Sequence, residues 1–380
     1  MVYSNLLIHN NILDKSHFYI KNHNKKHITP YLSKTLHKYL SNVKKLIEEC
    51  HEEWDNKKKI TNPYEYIHTL IVHKRISVSL YKPLSRSFFK LIELSNTHYL
   101  LSDYTKTNIN TFSLAEGPGG FIEALMWLRN NKEDNYYGIT LLSNDKNIPG
   151  WRKSNNIINN KQFILVKGET KDGNILQPKN LEYCYRRYKN HFELITADGG
   201  FDFSINFNNQ EIMSSKLILA EVLYALLLQK EHGNFILKIF DSFTLLVSEI
   251  IYILSCFYTK VYISKPNTSR YANSEKYIVC KQFKLKDSSI YFETFYNLLR
   301  QINEKSYIYS ILSFKLPYNF IVKLEEINIL LGEQQISTIL NTIHLIKSPE
   351  AFKVDEMVQK HVQKCIAWCK KHNIEYNKTL

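Results

Sequence analysis

TFSLAEGPGGFIEALMWLRNN, residues 111–131, runs from a β-rich apolar stretch through a glycine turn into a helical pattern. Strand, tight turn and helix form the unit from which parallel sheets are built. At its centre stands EGPGGF, residues 116–121. Gly117, Gly119 and Gly120 let the backbone turn sharply and let a ligand lie against the main chain. A tight strand-to-helix connection without a ligand is the plain alternative for so short a motif.

The same alternation continues outward from the turn. NYYGITLL (135–142), QFILVKGE (162–169), FELITADGG (192–200), NFILKIF (234–240), KVYISKP (260–266) and SEKYIVCKQF (274–283) read as strands. SSKLILAEVLYALLLQKEHG (214–233) and SFTLLVSEIIYILSCFY (242–258) read as helices between them. Short apolar strands separated by helices predict a doubly wound, Rossmann-like α/β domain with a mostly parallel sheet covered on both faces. NTSRYAN leaves no room for a crossover helix, so the last two strands must pair antiparallel or lie apart. Upstream, TPYLSKTLHKYLSNVKKLIEECHEEW (29–54) sets Leu32, Leu36, Leu40, Val43 and Ile47 on one helical face. Helical periodicity returns in residues 324–346 and 350–372. The predicted organisation is a basic helical extension over 1–75, the α/β domain over 76–285 and a helical extension over 286–380.

The 380-residue chain carries 50 Lys+Arg against 36 Asp+Glu, a net charge of +14, which suits a polyanionic partner such as nucleic acid. Its amino terminus lacks the unbroken apolar core of a signal peptide, and Glu221 and Glu249 interrupt the longest apolar runs. The expectation is a soluble, intracellular protein without a membrane partner. Six cysteines scattered from 50 to 369 fit a reducing compartment. His361, Cys365, Cys369 and His372 share one helical face, which could hold zinc or simply be buried small residues. Four ligands from one helix are geometrically awkward, and no metal is expected.

The turn is neither GxGxxG nor followed by GK[ST], so it serves a dinucleotide or a nucleoside triphosphate poorly. Glu116 would repel phosphate and attract a cation, which points to S-adenosylmethionine. Asp198 ends one strand, Lys238 lies in another, and Glu275 opens a third. Each has a dull explanation: a turn former, a snorkelling edge lysine, a solvated strand start. Lys238 is the least comfortable under that reading, because FILKIF surrounds it with apolar residues and a buried lysine needs carboxylate partners.

EGPGGF, ADGGFD, FILKIFD and SKPNTSRYANSEKYIVC together resemble the FtsJ-like ribose 2′-O-methyltransferases over roughly residues 80–285. The branch they are most similar to methylates the first nucleotides of capped messenger RNA in eukaryotes and large DNA viruses. The resemblance implies a Lys-Asp-Lys-Glu tetrad of Lys90 (with Lys82 as fallback in or near SRSFFKL), Asp198, Lys238 and Glu275. It implies a cofactor site for S-adenosylmethionine at Glu116, Gly117, Pro118, Gly119, Gly120 and Phe121, with Asp198, an adenine contact from Asp172 and Asn174 in GETKDGNILQP, and Asp145 on the ribose. ITLLSND departs from the family at that last point, having no acid directly after its apolar run. RNA contacts are implied at Arg86, Lys265, Ser269 and Arg270, the last three in a segment that otherwise reads as a solvated polar hairpin. LEYCYRRYK (181–189) mixes tyrosine and arginine as base-stacking surfaces do, or as an amphipathic helix does. KNHNKKH (21–27) adds a basic run.

The resemblance implies an enzyme acting on RNA, with 5′-capped mRNA foremost and other capping or transcription proteins as further partners, in the nucleus or, for a viral source, the cytoplasm or virion. Modification of ribosomal or transfer RNA is the alternative within the class. A non-catalytic RNA-binding or processivity module is the alternative outside it.

Overall fold

In the computed structural model the described residues are 2–6, 11–21, 29–143, 145, 148, 150–200, 210–304, 307–348 and 351–380. Most of the basic run 21–27 and the Phe201–Asp202 end of ADGGFD lie outside them. Ahead of the glycine turn come β1 (Val2–Asn5), β2 (Phe18–Lys21), α1 (Lys34–Lys45), α2 (His51–Thr61) and α3 (Ser87–His98). The alternating region follows as β3 (Asn110–Leu114), α4 (Gly120–Arg129), β4 (Asn135–Ile139), a short α5 (Asn155–Ile158), β5 (Phe163–Leu165) and α6 (Pro178–Tyr188). It continues as β6 (Phe192–Ala197), α7 (Gln210–Leu228), β7 (Gln229–Ile239), α8 (Leu245–Phe257), β8 (Tyr258–Lys265) and β9 (Lys276–Phe283). The chain closes with α9 (Phe292–Glu304), β10 (Ser310–Leu312), α10 (Tyr318–Lys347) and α11 (Ala351–Lys371).

The described residues form an eight-stranded sheet in the order β1-β8-β9-β7-β6-β3-β4-β5. Strands β3 to β7 are mutually parallel, and β9 inserts antiparallel between β7 and β8. The short loop before β9 dictates that insertion, since a hairpin can join only antiparallel neighbours. Successive side chains alternate between two cores, as a pleated sheet requires. Phe112, Ile195 and Leu237 face a core with α6, α7 and α8, whereas Leu194, Ile236 and Val279 face one with α3, α4 and α11. Lys238, two residues beyond Ile236, therefore points to the face that α3 covers. The doubly wound α/β expectation holds.

Three expectations need correction. The segment 1–75 is not helical throughout: β1 pairs antiparallel with β8 at the edge of the main sheet, and β2 pairs with β10. Strands this short carry no readable periodicity, and their partners lie far away in sequence. Helix α7 stops at Leu228, because the polar Gln229 onward joins β7, with the Gln229 side chain bonding the Phe192 carbonyl at 2.8 Å. Strand β5 shrinks to three residues, after which the chain turns back across the end of β4.

That turn constrains its glycine. Gly173 sits at φ +64°, and an added Cβ would lie 2.0 Å from the Thr140 carbonyl oxygen. Backbone cannot yield as a side chain tip can, so Gly173→Ala is expected to destabilise by about 1–3 kcal/mol in denaturant titration. A loss within experimental error would show that the loop is not pinned there.

The chain's ends pack on this frame. Lys44 of α1 makes a buried pair with Asp241, just beyond β7, at 2.8 Å. Val43, Ile47 and Trp54 pack on Ile339 and Ile343 of α10. Cys365, Trp368 and Cys369 of α11 are core residues beside Phe89, and the Cys365 thiol contacts the Pro63 carbonyl. Among the described residues no helix is long and apolar enough to cross a membrane, and no group of three or more His, Cys, Asp and Glu could hold a metal.

Candidate active site

Four charged side chains from four elements meet at the carboxyl-terminal edge of the sheet. Lys90, one turn into α3, reaches both oxygens of Glu275 at 2.7 and 2.9 Å. Lys238, near the end of β7, lies 3.2 Å from Asp198 Oδ1 and donates to the Asp198 carbonyl at 2.6 Å. Each of the four side chains is only 10–14 % exposed. Lys82, the fallback for the first lysine, instead donates to Ser77.

Burial opposes a charged lysine, yet the carboxylates of Asp198 and Glu275 outweigh it and raise the Lys238 pKa above its ordinary value. Burial likewise opposes ionised Glu275, but the Lys90 and Lys238 ammoniums hold its carboxyl well below the usual range. The two acids thus favour the charged form of Lys238, and the two lysines favour the charged form of Glu275. Tyr277 extends the cluster by donating from its hydroxyl to Asp198 Oδ1 at 2.9 Å. Sequence reasoning missed this tyrosine, although the two-residue period along SEKY puts it on the same face as Glu275.

The glycine turn adjoins these groups at the end of β3. Two of its glycines answer to the chain's own packing. An added Cβ at Gly119, where φ is +97°, would lie 2.8 Å from Ile157 and 3.1 Å from Trp151. At Gly120 it would lie 2.2 Å from the hydroxyls of both Ser85 and Ser87 at the start of α3. The turn is therefore clamped between α3 and the segment after β4.

Glu116 is buried as well. Its carboxylate accepts from the Phe121 amide at 2.6 Å and from Thr196 Oγ1 at 3.2 Å, so it braces the first turn of α4 rather than facing outward. Burial, reinforced by the charge of Asp198, pushes its pKa up to about 8. Glu221 of α7 is fully buried, and the space a Cβ at Gly199 would take lies 2.3 Å from its Oε1. Desolvation raises its pKa well above the ordinary value. Three carboxyl groups thus lie around the ends of β3 and β6, and burial favours the uncharged form of two of them, Glu116 and Glu221.

The remaining expected residues divide. Asp172 accepts from Thr170, the Asn174 amide and Asn180, which shapes the loop after β5. Asn174 Oδ1 accepts from the Leu176 amide. Asp145 is exposed in the segment after β4, where its carbonyl accepts from Arg152.

Of the expected RNA contacts, Lys265 and Ser269 are corrected. Both are buried: Lys265 donates to the carbonyls of Asn273 and Glu275 and to Asn273 Oδ1, while Ser269 donates to Glu275 Oε1 at 2.8 Å. Neither presents a donor to a phosphate. Arg86 and Arg270 are 23 % and 28 % exposed and share the buried carboxylate of Glu65, each at 2.7 Å. The tyrosines of LEYCYRRYK are engaged within the chain: Tyr185 stacks on Phe292, Tyr183 lies under Arg187, and Tyr188 packs on Tyr137.

Residues 83–283, just over half of the chain, match the family described as FtsJ-like methyltransferase. The chain belongs to the FtsJ-like methyltransferase family. This FtsJ-like chain is 32 % identical over 194 residues to the cap-specific mRNA (nucleoside-2'-O-)-methyltransferase 1 of Caenorhabditis elegans, covering 50 % of this chain and 21 % of that protein. It is 30 % identical over 244 residues to the Homo sapiens protein of the same name, covering 62 % and 29 %. A Caenorhabditis briggsae relative, 30 % identical over 194 residues (50 % of this chain, 22 % of that one), is named an inactive cap-specific mRNA (nucleoside-2'-O-)-methyltransferase 1B. The chain therefore spans under a third of the length of these curated relatives.

Proposed function

We propose that this chain is an S-adenosylmethionine-dependent RNA ribose 2′-O-methyltransferase acting on the first transcribed nucleotide of capped mRNA. The observation that carries this reading is the joined pair of ion pairs, Lys90–Glu275 and Lys238–Asp198, at the sheet edge beside the glycine turn. The names of the relatives support the cap. One relative is named inactive, but a chain with no reaction to perform has no evident use for two lysines and two acids gathered in so little water.

The glycine turn, Asp198 and the loop carrying Asp172 and Asn174 are the groups proposed to hold the cofactor, which supplies a methyl group on a cationic sulfur. Lys238 Nζ is proposed to hold the 2′ oxygen in line and to receive its proton. That amine must first give up the proton which Asp198 and Glu275 favour. An additional positive charge within the pocket assists the loss. Glu275 and Lys90 keep Lys238 in place without competing for the substrate. Arg86 and Arg270, part-exposed beside Lys90, are the proposed contacts to RNA phosphates.

Labelled methyl transfer to short RNAs, with and without a methylated cap, followed by nuclease mapping of the product, tests the proposal. Label confined to the 2′ oxygen of the first nucleotide of capped RNA is expected. Equal labelling of both RNAs would remove the cap from the reading, and no labelling of any RNA would remove the reaction.

A further inference from the structure

The hairpin between β8 and β9, residues 266–275, is held more firmly than its exposed-looking sequence suggests. At its start, Glu93 of α3 accepts from the amides of Asn267 and Thr268 at 3.0 and 3.1 Å and from the Thr268 hydroxyl at 3.1 Å. Glu93 follows Lys90 by three residues, so one helical face delivers both the hairpin anchor and the ion-pair partner of Glu275. At the hairpin's end, Lys265 gathers the carbonyls of Asn273 and Glu275 at 2.7 and 2.6 Å, with Asn273 Oδ1 at 2.7 Å. Ser269, between the two anchors, donates to Glu275 Oε1. All three side chains are buried, with Glu93 and Ser269 at 1 % exposure and Lys265 at 4 %.

We propose that Lys265, Ser269 and Glu93 are positioning residues which fix the Glu275 carboxylate between Lys90 and Lys238. This rests on reading Glu275 as a member of the catalytic tetrad. A lysine that ties two carbonyls on either side of Ser274 sets where the following residue starts its strand. A serine hydroxyl on Oε1 then sets the rotation of the carboxylate, since Lys90 alone, reaching both oxygens, leaves it free to swivel. Glu93 keeps the hairpin at the correct height on α3. The chemistry here is support of a charge, in contrast to the phosphate contact that the same residues suggest in the bare sequence.

The test uses the full chain with Ser269→Ala and Lys265→Met, each checked by thermal unfolding. Ser269→Ala is expected to lower kcat roughly tenfold, the loss of one hydrogen bond to a charged group, and Lys265→Met, which loses three hydrogen bonds, at least as much, each with KM for RNA within about twofold. The slope of RNA affinity against salt should stay at the wild-type value, and the rising limb of the pH–rate profile, set by Lys238, should move to lower pH as Glu275 supports that amine's charge less firmly. Intact kcat with weaker RNA binding and a salt slope shallower by about one would mean a phosphate contact and overturn the proposal; so would variants identical to wild type. Crystal structures of the two variants give a readout independent of turnover. A Glu275 carboxylate that rotates away from Lys90 supports positioning even if the wild type methylates no RNA, whereas an unmoved carboxylate overturns it. If Lys265→Met does not fold, Ser269→Ala, which removes one oxygen atom, carries the test alone.

Discussion

Lys238→Ala is expected to lower methyl transfer by about a thousandfold, within the range for removing a general acid–base group, while cofactor affinity changes only a few-fold. The amine is the group of the four proposed to take the 2′ proton. Its nearest neighbours are Asp198, at 3.2 Å, and the carbonyl of the same residue. Removing it leaves Asp198 with the Tyr277 hydroxyl and leaves Glu275 with Lys90, so each acid keeps a partner and the fold should survive. Single-turnover measurement with labelled cofactor separates chemistry from binding. Because the acids raise the pKa of Lys238, the wild-type rate should rise with pH until that amine has titrated, and the variant's residual rate should lack that dependence. Turnover within tenfold of wild type would dismiss Lys238 from the proposed role.

Glu65→Ala is expected to cause the largest loss of stability, about 3–5 kcal/mol, as breaking a buried pair leaves uncompensated charge. Glu65 is fully buried and accepts from Arg86 and Arg270, each at 2.7 Å, as well as from Asn62 at 2.8 Å and Thr69 at 2.9 Å. Without it two guanidiniums face each other with no carboxylate between them. Burial raises the Glu65 pKa, but the hydrogen bonds and charges of Arg270 and Arg86 outweigh it and hold the carboxyl well below the ordinary range. The unfolded chain therefore binds the proton more readily than the folded one. The contribution of Glu65 is present in full above the ordinary carboxylate pKa and is lost as pH falls below it. Denaturant unfolding at neutral and acidic pH should show the wild type losing stability that the variant never had. A difference under about 1 kcal/mol at neutral pH, the size of an exposed pair, would mean that the arginines find water or other partners instead.

Glu65 also shows where the sequence stops being informative. Nothing in NPYEYIHT distinguishes this glutamate from a solvated one, because its two arginine partners lie 21 and 205 residues away. Lys265 and Ser269 show the same limit in reverse. Their residue types and neighbours suggest phosphate contact, and only burial reveals that their hydrogen bonds are spent on Glu275 and Asn273. Glu116 was legible as an acid beside a ligand turn, but its orientation toward the Phe121 amide was not.

What the sequence by itself determined was the α/β alternation, the glycine turn at a strand end, and the discomfort of a lysine inside FILKIF. These are properties of local period and local composition, which act over a few residues and leave a readable pattern. What only the tertiary structure decided was which charges meet. Ion pairs such as Lys90–Glu275 join residues 185 apart, and the strength of each depends on how much water the fold excludes around it. Neither separation in space nor burial is written in the order of the residues, so Lys90, Asp198, Lys238 and Glu275 are named together by the family resemblance and not by local pattern, while the groups that hold them are legible from neither.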